Sequence, residues 1–186
     1  MVEGLGEHVE RHLGPIAGTW DTDPDGNELP FQIVHYEPGK GPVGTEIFTT
    51  LGLSDYPLGE HGVRIEMLMI APLRLTAGTV PPILHHAGVM PLDADDVPQL
   101  GDTFSAVGGL REVSPMDTLY VGRPLFQKPE FSPFDNGFER VHFLWLIPIY
   151  DIEAEFVEDE GWQAFEQLMW DLDVDPTDFV RDAWID

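Results

Sequence analysis

The sequence contains no cysteine and no long hydrophobic segment. Without cysteine, disulfides, thiolate nucleophiles and cysteine-based zinc sites are excluded. The longest apolar run, residues 143–149, is far shorter than the roughly 20 residues that a membrane-spanning helix needs. The chain begins Met-Val-Glu-Gly, with an acidic side chain where a secretory signal carries basic ones. These features predict a soluble, cytoplasmic protein.

Basic residues are scarce. Nine lysines and arginines stand against 34 acidic residues, which gives a formal net charge of -25. DNA, RNA and anionic membranes all require a basic patch, so the charge argues against these partners. The same charge attracts basic proteins and accelerates their association at low salt. A second explanation stays open, because Lys40 and Lys128 are the only lysines beside seven arginines, a ratio typical of a GC-rich genome or a salty cytoplasm.

Signatures of catalysis and of cofactor binding are missing as well. The sequence has neither a Gly-x-Ser-x-Gly nucleophile motif nor a phosphate-binding loop. Paired carboxylates are frequent, but 34 acidic residues produce such pairs by chance. We therefore predict a protein that is not an enzyme and needs no cofactor. The alternative from another functional class is a hydrolase or metal-dependent enzyme whose catalytic carboxylates and histidines belong to no recognisable sequence motif.

One segment matches half of a calcium-binding loop. Residues 21–26, Asp-Thr-Asp-Pro-Asp-Gly, place oxygen ligands at positions one, three and five and glycine at the sharp turn. The twelfth position, which should be a bidentate glutamate, is Gln32 in a predicted strand. Because Asp-Gly clusters are also ordinary turn residues, we predict a turn without calcium.

Two pairs of histidines are weak candidates for metal ligands. His8 and His12 lie four residues apart on a predicted helix, but the sequence is not the His-Glu-x-x-His of zinc proteases. His85 and His86 are adjacent, so on a helix they diverge by about 100°. We predict surface histidines for the first pair, core or boundary histidines for the second, and no metal site.

The hydrophobic pattern predicts an α+β fold with helices packed on a mainly antiparallel, mixed sheet, in a single domain of residues 1–186. The predicted strands are 31–36, 46–51, 63–70, 119–121 and 141–147. Strand 63–70 is expected to have an antiparallel neighbour and one face more buried than the other, and Pro148 is expected to end the pairing of the last strand. The predicted helices are 2–13, 79–89, 160–172 and 175–184. Segments 21–30, 91–102 and 124–137 are predicted loops, the last one the most mobile.

Three segments, in order, resemble the suppressor of fused family. Residues 49–55, Thr-Thr-Leu-Gly-Leu-Ser-Asp, are similar to the family's Thr-Leu-Gly-Leu-Ser strand end. Residues 63–69, Val-Arg-Ile-Glu-Met-Leu-Met, are similar to its next strand, and residues 143–149, followed by Glu153 and Gly161, are similar to its closing strand and helix. A Gly-Asp-Thr element at 101–103 lies between them. The resemblance covers residues 28–172 and weakens between 110 and 137.

The resemblance implies a role in protein binding. Animal members of the family sequester a transcription factor, and bacterial relatives resemble immunity proteins encoded beside polymorphic toxins. The resembling segments have structural explanations, with Gly52 turning the chain and Pro148 ending a strand, so no catalytic residue is inferred from the resemblance.

The leading hypothesis is an immunity-type protein that sequesters a basic toxin domain. The alternative is a suppressor of fused-like domain with another protein partner or a housekeeping role. Acidic clusters would steer a basic partner, although a solvated surface is the commoner explanation of any single acidic cluster. The candidate partner-binding residues are Asp93, Asp95, Asp96, Glu155, Glu158, Asp159 and Glu160.

Overall fold

The computed structural model describes residues 1–22, 26–75, 78–105 and 109–185. Within these residues, eight strands and four α-helices occur. No described helix is both long and apolar enough to cross a membrane. The strands are β1 (Ile16–Thr22), β2 (Glu28–Tyr36), β3 (Thr45–Leu51), β4 (Arg64–Pro72), β5 (Thr103–Ser105), β6 (Thr118–Gly122), β7 (Phe134–Asp135) and β8 (Arg140–Ile149). The helices are α1 (Leu5–Leu13), α2 (Val80–Ala94), α3 (Asp151–Glu160) and α4 (Trp162–Asp171).

All eight strands belong to one mixed sheet. Their order is β1-β2-β3-β4-β8-β6-β5, with β7 paired to β8 outside this path. The strand pairs are antiparallel except β4 with β8, where Arg64 to Leu68 run parallel to Val141 to Trp145. A parallel pair needs a long crossover, and residues 73–139 provide it. The predicted α+β fold with a mainly antiparallel mixed sheet is confirmed.

The sheet separates two hydrophobic cores. Because side chains alternate along a strand, Met67 belongs to one core and its neighbour Leu68 to the other. Helix α2 supplies Val80, Ile83 and Leu84 to the first core. Helices α1, α3 and α4 pack on the opposite face in the second core. The central strands are therefore buried on both sides, which explains their continuous apolar runs.

Several predicted elements are confirmed within a few residues. The first helix begins at Leu5 rather than at residue 2, and the segments predicted as strands at 31–36, 46–51 and 119–121 lie within β2, within β3 and within β6. The helix predicted at 160–172 is α4, which buries Phe165 and leaves Leu172 49% exposed beyond its end.

The predictions for the two central strands need correction. Strand β4 is buried on both faces and has a parallel neighbour as well as an antiparallel one, so the expectation of one more exposed face was wrong. Pro148 does not end β8, because it lies opposite Leu119 of β6 and the strand continues to Ile149. A proline lacks only its own N–H, so the neighbouring residues keep the strand paired.

The helix boundaries also differ from the prediction. Helix α2 runs through Pro91 to Ala94, so the first part of the loop predicted at 91–102 is helical. Strands β1, β5 and β7 and helix α3 were not predicted, and β7 lies within the loop predicted at 124–137. The helix predicted at 175–184 is absent. Asp175 accepts hydrogen bonds from the backbone and hydroxyl of Thr177, as a helix N-cap would, but only turns follow.

Candidate protein-binding surface

The resembling segments at 49–55 and 63–69 meet at a buried carboxylate. Glu66 of β4 is fully buried, and its Oε1 accepts hydrogen bonds from the backbone N–H of Gly52 at 2.9 Å, the backbone N–H of Ser54 at 3.1 Å and the Ser54 hydroxyl at 2.7 Å. The Thr50 hydroxyl donates to Oε2 at 2.5 Å. Burial raises the pKa of Glu66, while these hydrogen bonds oppose the rise. The carboxylate thus holds the turn after β3 and faces no solvent.

The third segment is tied to the end of the chain by a second buried carboxylate. Glu153 in the first turn of α3 is fully buried and accepts hydrogen bonds from both terminal nitrogens of Arg181, each at 2.7 Å. It also accepts hydrogen bonds from the backbone N–H of Tyr150 and of Trp184. The Arg181 guanidinium stacks on Trp184 at 3.5 Å from the ring centroid. Glu66 and Glu153 therefore stabilise the fold from the inside and present no charge to solvent.

Solvent-facing carboxylates gather at one end of the sheet, around an open cavity of about 560 Å³ that we call the acidic hollow. Strands β5 and β6 and helix α3 form its walls. One cation, Arg111, lies among five carboxylates, so the lining is strongly negative. The acidic residues of this hollow are Asp102, Asp117, Asp151, Glu155 and Glu158.

Three of these five carboxylates already have partners. Asp117 forms an ion pair with Arg111, Asp151 accepts a hydrogen bond from the Thr118 hydroxyl at 2.9 Å, and Asp102 accepts one from the backbone N–H of Gln99 at 2.7 Å. Partial burial alone would raise the pKa of Asp117, but hydrogen bonding with Asp151 and Arg111 and the charge of Arg111 outweigh it and lower that pKa. Only Asp117 is paired with a cation, because the donors to Asp102 and Asp151 are neutral. The charge offered to solvent therefore comes from the exposed Asp102, Asp151, Glu155 and Glu158.

The structure brings only two of the seven sequence-based candidates, Glu155 and Glu158, into the acidic hollow. Asp159 and Glu160 are exposed at the end of α3 and do not line it. Asp93, Asp95 and Asp96 lie at the end of α2, where Asp95 accepts a hydrogen bond from the backbone N–H of Gly59 at 3.1 Å. They are exposed but form no part of the hollow.

Sequence reasoning missed Asp102, Asp117 and Asp151. A signal for Asp151 was present, because residues 151, 155 and 158 have the i, i+4, i+7 spacing of one helix face. The three side chains share a helix face only because α3 begins at Asp151, and the sequence did not predict this helix. No comparable pattern links Asp102 and Asp117 to this helix, since strand pairing brings them there.

The histidine pairs and the calcium-like motif form no metal site among the described residues. His8 is buried, contrary to the prediction of a surface histidine, and its Nε2 donates a hydrogen bond to the Phe131 carbonyl at 2.8 Å. His85 is partly buried and His86 is exposed. Residues 23–25 of the calcium-like motif lie outside the described residues. In the part of the chain that the structure describes, no group of three or more histidine or acidic side chains is arranged to hold a metal ion.

Sequence and structure comparisons establish the family. Residues 27–182 match the family model described as Suppressor of fused protein. The chain belongs to the suppressor of fused family. The match includes all three resembling segments and extends to the tail that carries Arg181. A search among curated proteins found no match.

Solved structures show the same fold at low sequence identity. A suppressor of fused homologue from Neisseria gonorrhoeae FA 1090 is 20% identical, with a TM-score of 0.77 over 98% of this chain and 96% of that one. A chain of the Sufu–Fu complex is 15% identical, with a TM-score of 0.67 over 97% of this chain and 89% of that one. Drosophila Suppressor of Fused is 15% identical, with a TM-score of 0.67, and this chain covers 50% of it.

Proposed function

We propose that this suppressor of fused protein is a non-enzymatic, immunity-type binding protein that sequesters a basic toxin domain in the cytoplasm. The observation that carries the proposal is the acidic hollow, where Glu155 and Glu158 present charge beside three further carboxylates. A solved relative is a complex of Sufu with Fu, which supports protein binding as the activity of the fold. The proposal needs no cofactor and no bond-breaking step.

The charge distribution suits rapid capture of a basic protein. A net charge of -25 creates a long-range attraction for cationic surfaces. The hollow concentrates part of this charge in a concave surface, where a basic protrusion of the partner can approach several carboxylates at once. A toxin that binds phosphate through basic residues would have that surface covered in the complex.

The test is capture of a protein partner followed by kinetics. The tagged chain is co-expressed with the product of the neighbouring gene, and the purified complex is expected to have a fixed stoichiometry. Association is then measured for Glu155→Gln/Glu158→Gln and for a matched control, Glu7→Gln/Glu10→Gln, which removes two exposed acids with the same spacing from α1. We expect the first pair to slow association by about threefold or more at low salt, and the control to change it little.

Two results would contradict the proposal. Repeated capture experiments that recover no protein partner would reject sequestration altogether. The second is a stable complex with a partner that has no toxic activity for the chain to neutralise. That result would support the other alternative, a domain with a different partner or a housekeeping role.

A further inference from the structure

A second cavity lies between the end of α4 and the C-terminal tail, and we call it the tail pocket. Its volume is about 360 Å³. Residues Tyr120 and Trp145 from the sheet form its floor, and Trp170 and Asp173 from the end of α4 and the tail form part of its wall. Neither acidic cluster predicted from the sequence contributes to it. The pocket combines aromatic surface with negative charge.

The floor of the tail pocket carries a polar group that is incompletely hydrogen-bonded. Tyr120 is fully buried, and its hydroxyl forms no hydrogen bond of standard geometry with any described residue, although the Glu166 carboxylate interacts with it. Buried hydroxyl groups are nearly always hydrogen-bonded in folded proteins, because leaving one unpaired costs about 1–3 kcal/mol. Burial and the nearby charge of Glu166 raise the pKa of Tyr120, so the hydroxyl stays protonated. Because it is protonated, its oxygen can accept a hydrogen bond from a donor that enters the pocket.

The wall of the tail pocket has an exposed aromatic ring and excess negative charge. Trp170 is 82% exposed, which is unusual for the largest apolar side chain. Three carboxylates, those of Glu166, Asp173 and Asp175, line the pocket together with one cation, Arg123. Arg123 is already engaged, because it pairs with Glu166 and stacks on Trp162 at 5.3 Å. Asp173 forms no ion pair among the described residues.

We propose that the tail pocket receives an arginine side chain of the basic protein partner, an inference that rests on the proposed function. The planar guanidinium would stack on Trp170, pair with Asp173 and donate a hydrogen bond to the Tyr120 hydroxyl. The fold already uses this combination internally, since Arg181 pairs with Glu153 and stacks on Trp184. A purely apolar occupant would leave the hydroxyl incompletely hydrogen-bonded and the excess negative charge unpaired.

The probe is the peptide acetyl-Gly-Arg-Gly-amide, compared with the same peptide carrying citrulline. Citrulline has nearly the same shape but no charge, so the pair isolates the guanidinium charge. Binding is followed in ¹⁵N–¹H NMR spectra through the indole N–H signals of the five tryptophans. The Trp170→Ala variant assigns the Trp170 signal by its disappearance. We expect the arginine peptide to shift that signal in a saturable way and the citrulline peptide to leave it unchanged.

Three variants test the contacts, with binding followed through the backbone amide signals around residue 173. Trp170→Ala should weaken binding about fivefold, whereas the control Phe138→Ala, which removes a 96% exposed ring elsewhere, should not. Tyr120→Phe should weaken binding about tenfold and leave the unfolding midpoint equal to or above that of the wild type, because its hydroxyl forms no hydrogen bond of standard geometry within the described residues. Asp173→Asn should also weaken binding.

The pocket proposal is overturned if both peptides bind equally well, or if Trp170→Ala and Tyr120→Phe bind the arginine peptide as the wild type does. These results are distinguishable from a failure of the proposed function. If the chain captures a protein partner and Trp170→Ala does not weaken that complex, only the pocket assignment fails. If the arginine peptide binds but no protein partner is ever recovered, the pocket stands and the proposed function fails.

Discussion

Glu66 illustrates at the residue scale how a carboxylate can be structural. Its two oxygens accept four hydrogen bonds from Thr50, Gly52 and Ser54, and no part of it reaches solvent. Gly52 has a φ of 102°, a left-handed conformation that allows the chain to turn towards the carboxylate after β3. The sequence of the family-like segment at 49–55 is therefore explained by one role, which is to supply hydrogen-bond donors to the buried Glu66 side chain.

The raised pKa of Glu66 predicts a pH-dependent stability. The folded state holds this proton more tightly than the unfolded state, in which the pKa is about 4.5. The stabilisation from Glu66 is then present below pH 4.5 and is lost as pH rises from there to the raised pKa. Glu66→Gln keeps an acceptor oxygen for Gly52 and Ser54 but cannot titrate. The free energy of unfolding of each protein is measured by urea denaturation at several pH values. The wild-type value minus the Glu66→Gln value should fall as pH rises. A difference that rises or stays constant would contradict the raised pKa of Glu66.

At the scale of elements, one buried ion pair ties the C-terminal tail to helix α3. Residues 172–185 contain no helix, yet Arg181 is only 8% exposed and reaches Glu153 and the Pro148 carbonyl. Tyr150 adds a hydrogen bond from its hydroxyl to the Arg181 carbonyl at 2.6 Å. Helix α3, the end of β8 and the tail are thus joined through one guanidinium.

Removing that guanidinium should be costly. Arg181→Met leaves Glu153 buried without its charge partner, and we expect a loss of roughly 3–5 kcal/mol in the free energy of unfolding. The double variant Glu153→Leu/Arg181→Met should lose less than the sum of the two single losses, because neither charge remains unpaired. Arg74→Met is the control, since Arg74 pairs with Asp178 at the surface and should change stability by about 1 kcal/mol at most. Additive losses in the double variant would show that the pair is not coupled.

For the whole molecule, charge repulsion is a general destabilising term. A net charge of -25 on 186 residues favours expansion of the chain, because carboxylates that are close in the folded state separate on unfolding. The acidic hollow concentrates this repulsion where five carboxylates surround one arginine.

Salt should therefore stabilise the protein at neutral pH. Raising sodium chloride from 0.05 to 0.5 M shortens the screening length severalfold, and we expect the melting temperature at pH 7 to rise by about 2–4 °C, equivalent to ~1 kcal/mol. The same salt step near the isoelectric point, about pH 4.2, should have a much smaller effect, because the net charge is then close to zero. An equal rise at both pH values would point to a general salt effect on hydrophobic burial rather than to screening.

The sequence alone determined the fold class and most of the internal elements. Alternation in 31–36 and the apolar run at 143–149 follow directly from which strand faces are buried, so local pattern was sufficient. The absence of cysteine and the acidic charge are likewise properties of composition. The short segments that resemble the family also proved reliable, because the family model matches residues 27–182, which include all three.

Only the tertiary structure decided the edges of the fold and the candidate sites. Strand β5 is three residues long and exists through pairing with β6, and Pro91 and Pro148 remain inside regular elements because neighbours across the fold hold them. The acidic hollow joins Asp102 and Asp117 to Glu155, and the tail pocket joins Tyr120 to Trp170, across about 40 to 50 residues of chain. Contacts between such distant residues depend on strand order and helix packing, which leave no periodic signal in the sequence.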